Sequence, residues 1–214
     1  MLDRKNRITL TVACLLALVA LMIGLFISHH VREDHGIDVE QFHGTYLDKP
    51  RSVKTFSLMG IDNQPFNNAS LLGHWTMLFF GFTNCGQVCP TTMAELGKMY
   101  RLLEDQGEKT LPQVVMISVD PDRDGLDKLG PYVKAFNPHF YGATGDEPSI
   151  AMMTKEMGIA YVKIALKGSE DPHHYDIEHT GTVMLFNPKG ELNAFFTMPH
   201  QASLLAKDYL LLVS

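Results

Sequence analysis

Two cysteines, Cys85 and Cys89, lie between a strand-like segment and a helix-like segment, and this arrangement constrains the fold more than any other feature of the chain. The run from Trp75 to Phe80 is almost entirely apolar, as expected of a strand buried on both faces. Pro90 is favoured at the start of a helix. Apolar residues then recur at helical spacing, at Met93, Leu96, Met99, Tyr100 and Leu103. The sequence therefore predicts Cys85 in a strand-to-helix turn and Cys89 near the helix start.

This position favours the thiolate form of both cysteines. Backbone N–H groups at the start of a helix carry partial positive charge, which lowers the pKa of a nearby thiol. A thiolate is both a nucleophile and a ligand for soft metals. Three residues separate the sulfurs, whereas the exchange motif of thioredoxin-like enzymes has two. Cβ atoms at helical positions i and i+4 are roughly 5 to 6 Å apart, while a disulfide needs about 3.8 Å. The residues alone leave three alternatives open: a structural disulfide or inert thiols, redox exchange, and metal binding.

An uncharged apolar stretch of 20 residues, Ile8 to Ile27, lies near the N-terminus. A helix of about 20 residues crosses a hydrocarbon core of roughly 30 Å. Basic residues among the first seven predict that the N-terminus is cytoplasmic. A cleaved signal peptide is the competing interpretation, but no clear small-x-small cleavage site follows the long apolar region. We therefore predict an uncleaved transmembrane helix.

The domain organisation follows from this span. We predict a cytoplasmic tail at 1–7, a transmembrane helix at 8–27, a polar membrane-proximal linker at 28–50 and a folded domain at 51–214. The chain has 214 residues and 45% hydrophobic content, which is sufficient for one buried core. Its net charge of −6 gives no basic surface of the kind that binds nucleic acid. Cys14 lies in the apolar N-terminal stretch, where we expect it to act as a small lipid-facing hydrophobe.

A second apolar run, Gln113 to Val119, follows the cysteine-bearing helix. Strand, helix and strand then form a parallel unit. The cysteines follow one strand end and Asp120 follows the other, at the edge of the sheet where active groups gather. The acidic segment that begins at Asp120 resembles a calcium loop, but Pro131 stands at its twelfth position instead of Glu. We instead expect Asp124 to cap the next helix.

The remaining patterns complete an α/β domain. They predict a strand at 55–59, helices at 126–136, 148–157 and 201–212, a strand at 159–166, a polar loop at 167–178 and a hairpin made of strands 182–186 and 191–197. His179 stands at the entry to that hairpin. By itself, a histidine at such a position predicts only a polar loop residue.

Taken together, the motifs closely resemble those of the Sco/SenC family of membrane-anchored copper-binding proteins of cytochrome oxidase assembly. The resemblance extends over roughly residues 50 to 214. It is carried by Gly81-Phe82-Thr83-x-Cys85-x-x-x-Cys89-Pro90-Thr91-Thr92, Ile117-Ser118-Val119-Asp120-Pro121-Asp122-Arg123-Asp124, Tyr132-Val133-Lys134-Ala135-Phe136, Thr144-Gly145 and His179-Thr180.

The resemblance implies a thioredoxin-like α/β fold with a central mixed sheet flanked by helices. It also implies that Cys85, Cys89 and His179 bind copper, as Cu(I) or Cu(II). The implied function is that of a copper chaperone for the binuclear copper centre of cytochrome c oxidase subunit II. The alternatives are a thiol-disulfide reductase acting on subunit II or other exported proteins, for which Cys85 and Cys89 would be the redox-active pair, and, third, a peroxidase of the thioredoxin superfamily.

The resemblance also implies partners and a location. The partners are oxidase subunit II and either a thioredoxin-like reductant or another copper chaperone; no nucleic acid is expected. The protein is expected to be a single-pass inner-membrane protein with its C-terminal domain in the periplasm, or in the mitochondrial intermembrane space in a eukaryote.

The sequence departs from the family pattern in the loop between the two cysteines. Similar proteins commonly have Cys-Pro-Asp-x-Cys-Pro, whereas Gly86 and Gln87 lie between the sulfurs here. The change removes a negative charge near the thiolates and leaves the ligand set intact.

Overall fold

The structure, a computed structural model, describes residues 13–24, 41–166, 168 and 174–213. Residues 13–24 are helical and exposed and belong to a separate N-terminal unit. Among the described residues, no helix combines the length and hydropathy that a membrane crossing requires. Both ends of the transmembrane helix predicted at 8–27 lie outside the described residues, as do the predicted tail at 1–7 and most of the predicted linker.

The second unit, Glu40–Ser214, is an α/β domain. Its described strands are β1 (Thr45–Arg51), β2 (Ser57–Gly60), β3 (Pro65–Asn67), β4 (Thr76–Gly81), β5 (Gln113–Ser118), β6 (Tyr141–Thr144), β7 (Tyr161–Ala165), β8 (Tyr175–His179), β9 (Val183–Phe186) and β10 (Leu192–Phe196). Its described helices are α1 (Val88–Asp105), α2 (Leu126–Phe136), α3 (Glu147–Met157) and α4 (Ala202–Val213), with a 3-10 turn at Asn68–Leu71. The predicted α/β fold, a mixed sheet flanked by helices, is confirmed for this unit.

The main sheet has the order β1-β10-β9-β4-β5-β6-β2-β3 within the described part of the chain. Its central strands β4 and β5 are parallel, with Gly81 opposite Ser118 at their carboxyl ends. Every residue of β4 is buried, as the apolar run predicts, because sheet neighbours and helices cover it. The adjacent strand ends bring the cysteine loop and the segment after β5 to one edge of the domain.

Strand β1 departs from the sequence prediction, because the polar sequence predicts an irregular linker at residues 45–50. It pairs antiparallel with β10, with Thr45 opposite Phe195. Its sequence is polar, and most of its residues are exposed. Backbone hydrogen bonds to a partner distant in sequence create this edge strand, and such bonds leave no apolar pattern. The folded domain therefore begins before residue 51.

Two smaller predictions are also wrong. Residues 175–178 were assigned to a loop but form most of β8, which pairs with β7 in a separate two-stranded sheet. The acidic residues Asp176 and Glu178 make this short segment look like a polar loop, although they alternate with the partly buried Tyr175 and the buried Ile177 as in a strand. In addition, Asp124 does not cap α2: the cap position is Gly125, and no side-chain capping bond forms there.

Candidate metal centre

The two cysteines occupy the positions that the sequence predicts. Cys85 is half-buried in the turn after β4, and Cys89 is fully buried in the first turn of α1. They are not joined in a disulfide. The backbone N–H of Cys89 donates to the Sγ atom of Cys85 at 3.3 Å. Since the cap residue Gln87 makes no side-chain capping bond, the Cys85 sulfur satisfies one of the N–H groups at this helix start.

The two thiols differ in acidity, so the prediction that the helix start favours the thiolate form of both is wrong for Cys89. A hydrogen bond from the Cys89 thiol holds the pKa of Cys85 well below its ordinary value, and contacts with His179 and backbone N–H groups act in the same direction. The same bond to Cys85, together with burial, raises the pKa of Cys89. Cys85 is therefore the thiolate of the pair, and Cys89 retains its proton until a metal displaces it or a reaction removes it.

A glycine is required where Cys89 packs against the end of β4. A Cβ atom on Gly81 would lie 3.0 Å from the Sγ atom of Cys89 and 2.7 Å from the ring of Phe79. The backbone N–H of Phe82, the next residue, donates to the Cys89 sulfur at 3.5 Å. Close approach of the sulfur to the backbone explains why glycine precedes Phe82 in this loop.

His179, the last residue of β8, reaches the same point from the other side. Its Nε2 atom lies 3.2 Å from the Sγ atom of Cys89, and its Nδ1 atom lies 3.3 Å from the carbonyl oxygen of Thr180. In the tautomer that carries its proton on Nδ1, this proton is donated to the carbonyl and the Nε2 lone pair is directed at the sulfurs, as metal binding requires. The rings of Phe79 and Phe82 meet the imidazole edge to face, with centroids 5.9 and 5.8 Å away. Hydrogen bonding and packing thus fix the orientation of the ring.

Cys85, Cys89 and His179 form one cluster. Their ligand atoms all lie within 4.8 Å of one another, and within the described ranges no other group of three His, Cys, Asp or Glu side chains meets this geometry. Metal bonds of roughly 2.0 to 2.3 Å place three trigonal ligands roughly 3.5 to 4 Å apart. The cluster can therefore hold a metal ion with small side-chain movements. Thiolates prefer Cu(I), and an imidazole also suits Cu(II), so the donor set fits copper in either state.

Asp124 supports the cysteine loop from the segment after β5. This fully buried carboxylate accepts hydrogen bonds from the Thr83 backbone N–H at 2.8 Å, from the Thr83 hydroxyl and from the Ser118 hydroxyl at 2.7 Å. It thereby fixes the chain two residues before Cys85. The sequence placed Asp124 near this edge but assigned it to a helix cap, because the pairing of its loop with the cysteine loop is a tertiary feature.

Comparison with known protein families gives a match that covers the whole candidate site. A model of the SCO1/SenC family matches residues 44–213, which include β1 and all three cluster residues. The chain belongs to the SCO1/SenC family. The family match also begins where β1 begins, in agreement with a domain that starts before residue 51.

Relatives within the SCO1/SenC family include proteins from bacteria and plants. The chain is 30% identical to the SCO2-like protein of Rickettsia prowazekii over 151 residues, 71% of this chain and 72% of that protein. It is similar to the crystal structure of Arabidopsis thaliana ScoI with copper bound, with a TM-score of 0.67 and 29% identity over 74% of this chain and 95% of that one. The solution structure of apo Sco1 from Thermus thermophilus gives a TM-score of 0.68 and 31% identity over 80% and 95% of the two chains.

One residue beside the site was not predicted from the sequence. Tyr175, assigned to a loop, begins β8, and its hydroxyl group contacts the buried Asp120. A signal for it exists, because Tyr175, Ile177 and His179 alternate with acidic residues at the period of a strand. Recognising that alternation would have placed Tyr175 and His179 on one face of the same strand.

Proposed function

We propose that this protein binds copper through Cys85, Cys89 and His179 and is a copper chaperone that supports assembly of the binuclear copper centre in cytochrome c oxidase subunit II. The observation that carries the proposal is the cluster itself, two sulfurs and one imidazole nitrogen within 4.8 Å of one another. Membership of the SCO1/SenC family, and the copper-bound state of the Arabidopsis relative, support copper as the metal.

The unequal burial of the ligands suits a protein that releases its cargo. Cys85 is half-buried, so a thiolate on a partner protein can approach the metal beside it and replace it as a ligand. Cys89 is fully buried and retains the ion during the exchange. The imidazole of His179 supplies the third donor and makes Cu(II) an acceptable cargo as well as Cu(I).

The apolar stretch at 8–27 supports a membrane anchor for this domain. In this proposal the anchor is a single span of the inner membrane. The domain faces the periplasm or, in a eukaryote, the mitochondrial intermembrane space, as the basic N-terminal residues favour. Subunit II is the recipient, and a thioredoxin-like reductant or a second copper chaperone restores or reloads the site.

Copper titration of the purified, reduced protein tests the ligand assignment. We expect one copper ion per chain and at least a 100-fold loss of affinity in a Cys85→Ser, His179→Ala double variant. A matched double variant, Cys14→Ser with His74→Ala, removes the same residue types but no member of the cluster; His74 bonds to Gln113 at the opposite end of β4 from the cysteine loop. Wild-type affinity in the first variant would contradict the ligand assignment.

The difference in acidity between the cysteines favours one second function, thiol-disulfide reduction. The Cys85 thiolate would attack a substrate disulfide and form a mixed disulfide. Cys89 would then lose its proton and attack Cys85, which releases the substrate dithiol and leaves a Cys85–Cys89 disulfide. Two electrons pass to the substrate in the complete reaction; one proton comes from the Cys89 thiol, and the second comes from solvent because Cys85 reacts as a thiolate. Reductase activity that persists without copper and in His179→Ala would favour this function over the chaperone.

A further inference from the structure

The hairpin that carries His179 lies outside the main sheet. Within the described part of the chain, β7 and β8 pair with each other, with Tyr161 opposite His179 and Ala165 opposite Tyr175. Neither strand has a backbone ladder to the eight-stranded sheet. Apart from the short connections at its two ends, the hairpin is held against the domain by contacts that side chains make.

Asp120, Arg123 and Tyr175 make such contacts. The Tyr175 hydroxyl donates to an Asp120 carboxylate oxygen at 2.5 Å, and Arg123 Nη1 donates to the Tyr175 carbonyl oxygen at 2.7 Å. The guanidinium group also lies 3.7 Å from the centre of the Tyr175 ring. Arg123 Nε donates to the fully buried carboxylate of Asp120 at 2.5 Å. Both the side chain and the backbone of Tyr175 are thus held by the segment that follows β5.

Tyr175 and His179 lie on the same face of β8, with the buried Ile177 between them. Four residues of strand span roughly 13 Å. Because β8 is paired with β7 along this length, fixing Tyr175 restricts the position of His179. The same segment, 120–124, also holds the cysteine loop through Asp124. Both ligand-bearing parts of the chain are therefore anchored to one segment.

We propose that Asp120, Arg123 and Tyr175, the hairpin clamp, position His179 against the two sulfurs and thereby set the affinity of the site for Cu(II) relative to Cu(I). This inference rests on the proposed copper-binding function. Two thiolates bind Cu(I) without help from an imidazole, whereas the imidazole matters more for Cu(II). Loss of the clamp therefore weakens Cu(II) binding more than Cu(I) binding.

Tyr175→Phe in the full-length protein tests the clamp, because it removes only the hydroxyl group. Tyr141→Phe is the matched control, since the Tyr141 hydroxyl donates to Asp62 at the same distance of 2.5 Å. Asp62 lies in the turn between β2 and β3, outside the cluster and the clamp. Affinities for Cu(II) and Cu(I) are measured by competition with chelators, and the Cu(II) site by electron paramagnetic resonance.

We expect Tyr175→Phe to lose about 10-fold in Cu(II) affinity, the lower end of the effect of removing a group bonded directly to a metal ligand, because Tyr175 acts on His179 through β8. Its resonance spectrum should change, while its Cu(I) affinity stays within about threefold of wild type. Arg123→Lys should act in the same direction, and Tyr141→Phe should change neither quantity. Wild-type Cu(II) affinity and spectrum in Tyr175→Phe would overturn the clamp.

Amide hydrogen exchange of the copper-free protein separates this inference from the proposed function. Residues of β8 should exchange faster in Tyr175→Phe than in Tyr141→Phe. If β8 responds in this way but the wild-type protein binds no copper, the proposed function fails and the clamp's hold on the hairpin stands. Unchanged exchange of β8 would overturn the clamp whether or not copper binds.

Discussion

The Nε2 atom of His179 lies 3.2 Å from the Sγ atom of Cys89, although the two residues are 90 positions apart in the chain. The contact joins a helix start to the end of a hairpin that lies outside the main sheet. It converts a two-cysteine motif, which suits several kinds of chemistry, into a three-donor cluster suited to a soft metal.

Copper affinity should fall as the pH falls. The pKa of Cys89 is raised, so the metal-free protein carries a proton on this thiol at neutral pH, and copper binding must release it. Because the metal-free state binds more protons, affinity rises with pH, by about tenfold per unit for each proton released. Competition with a chelator between pH 5 and pH 8 measures the slope. A flat profile would contradict coordination by both cysteines.

Cys85 should react with iodoacetamide before Cys89. Because its pKa is lowered, Cys85 remains a thiolate at pH values below the ordinary pKa of a thiol. Cys89, in contrast, is buried and protonated. Mass spectrometry of the reduced protein after brief labelling at pH 6 to 7 gives the ratio of labelled Cys85 to labelled Cys89. In Cys89→Ala the hydrogen bond to Cys85 is lost, so the pKa of Cys85 should rise and its labelling at pH 6 should slow. Preferential labelling of Cys89 would contradict the assignment.

Gln87→Asp should also slow the labelling of Cys85 at pH 6. A carboxylate at this helix cap position competes with the Cys85 sulfur for the N–H of Cys89 and adds a negative charge beside the thiolate. Both effects raise the pKa of Cys85. Gln87→Asn supplies a similar hydrogen-bond acceptor without the charge, so comparing the pH dependence of labelling in the two variants separates the causes. Labelling as fast as wild type in Gln87→Asp would contradict the prediction.

Gly81→Ala should destabilise the domain and weaken copper binding. The new Cβ would lie too close to the Cys89 sulfur and the Phe79 ring. Overpacking of this kind costs about 1 to 3 kcal/mol of unfolding free energy. Gly86→Ala is the control, because a Cβ there meets no atom within 4 Å. Urea unfolding measures both variants, and equal stabilities would show that the loop relaxes around the added methyl group.

Asp208→Ala should reduce the free energy of unfolding by about 2 to 4 kcal/mol. This fully buried carboxylate accepts hydrogen bonds at 2.8 Å from the backbone N–H groups of His43 and Gly44, and it lies 3.0 Å from the His43 ring. Removing it leaves two partly buried backbone N–H groups without partners at the entrance to β1. Asp105→Ala, at the exposed end of α1, is the control and should change stability by less than about 0.5 kcal/mol. Equal losses of unfolding free energy in Asp208→Ala and Asp105→Ala, measured by urea unfolding, would contradict a stabilising role for Asp208.

The sequence by itself determined the centre of the domain. Three elements formed as predicted: β4, α1 and β5. Each is indicated by the spacing of apolar residues within its own segment, namely the apolar runs of the two strands and the helical spacing after Pro90. The placement of Cys85 in the turn and Cys89 in the first helical turn follows from the same local rules.

The tertiary structure decided the rest. Strand β1 exists because β10 offers it hydrogen-bond partners, and Asp124 holds Thr83 because the ends of β4 and β5 are adjacent. From the residues alone, His179 is a loop histidine. Family resemblance suggested its role, but only folding brings it to Cys89. Such contacts join residues far apart in the chain. The short-range periodicity that predicts helices and strands therefore does not predict them.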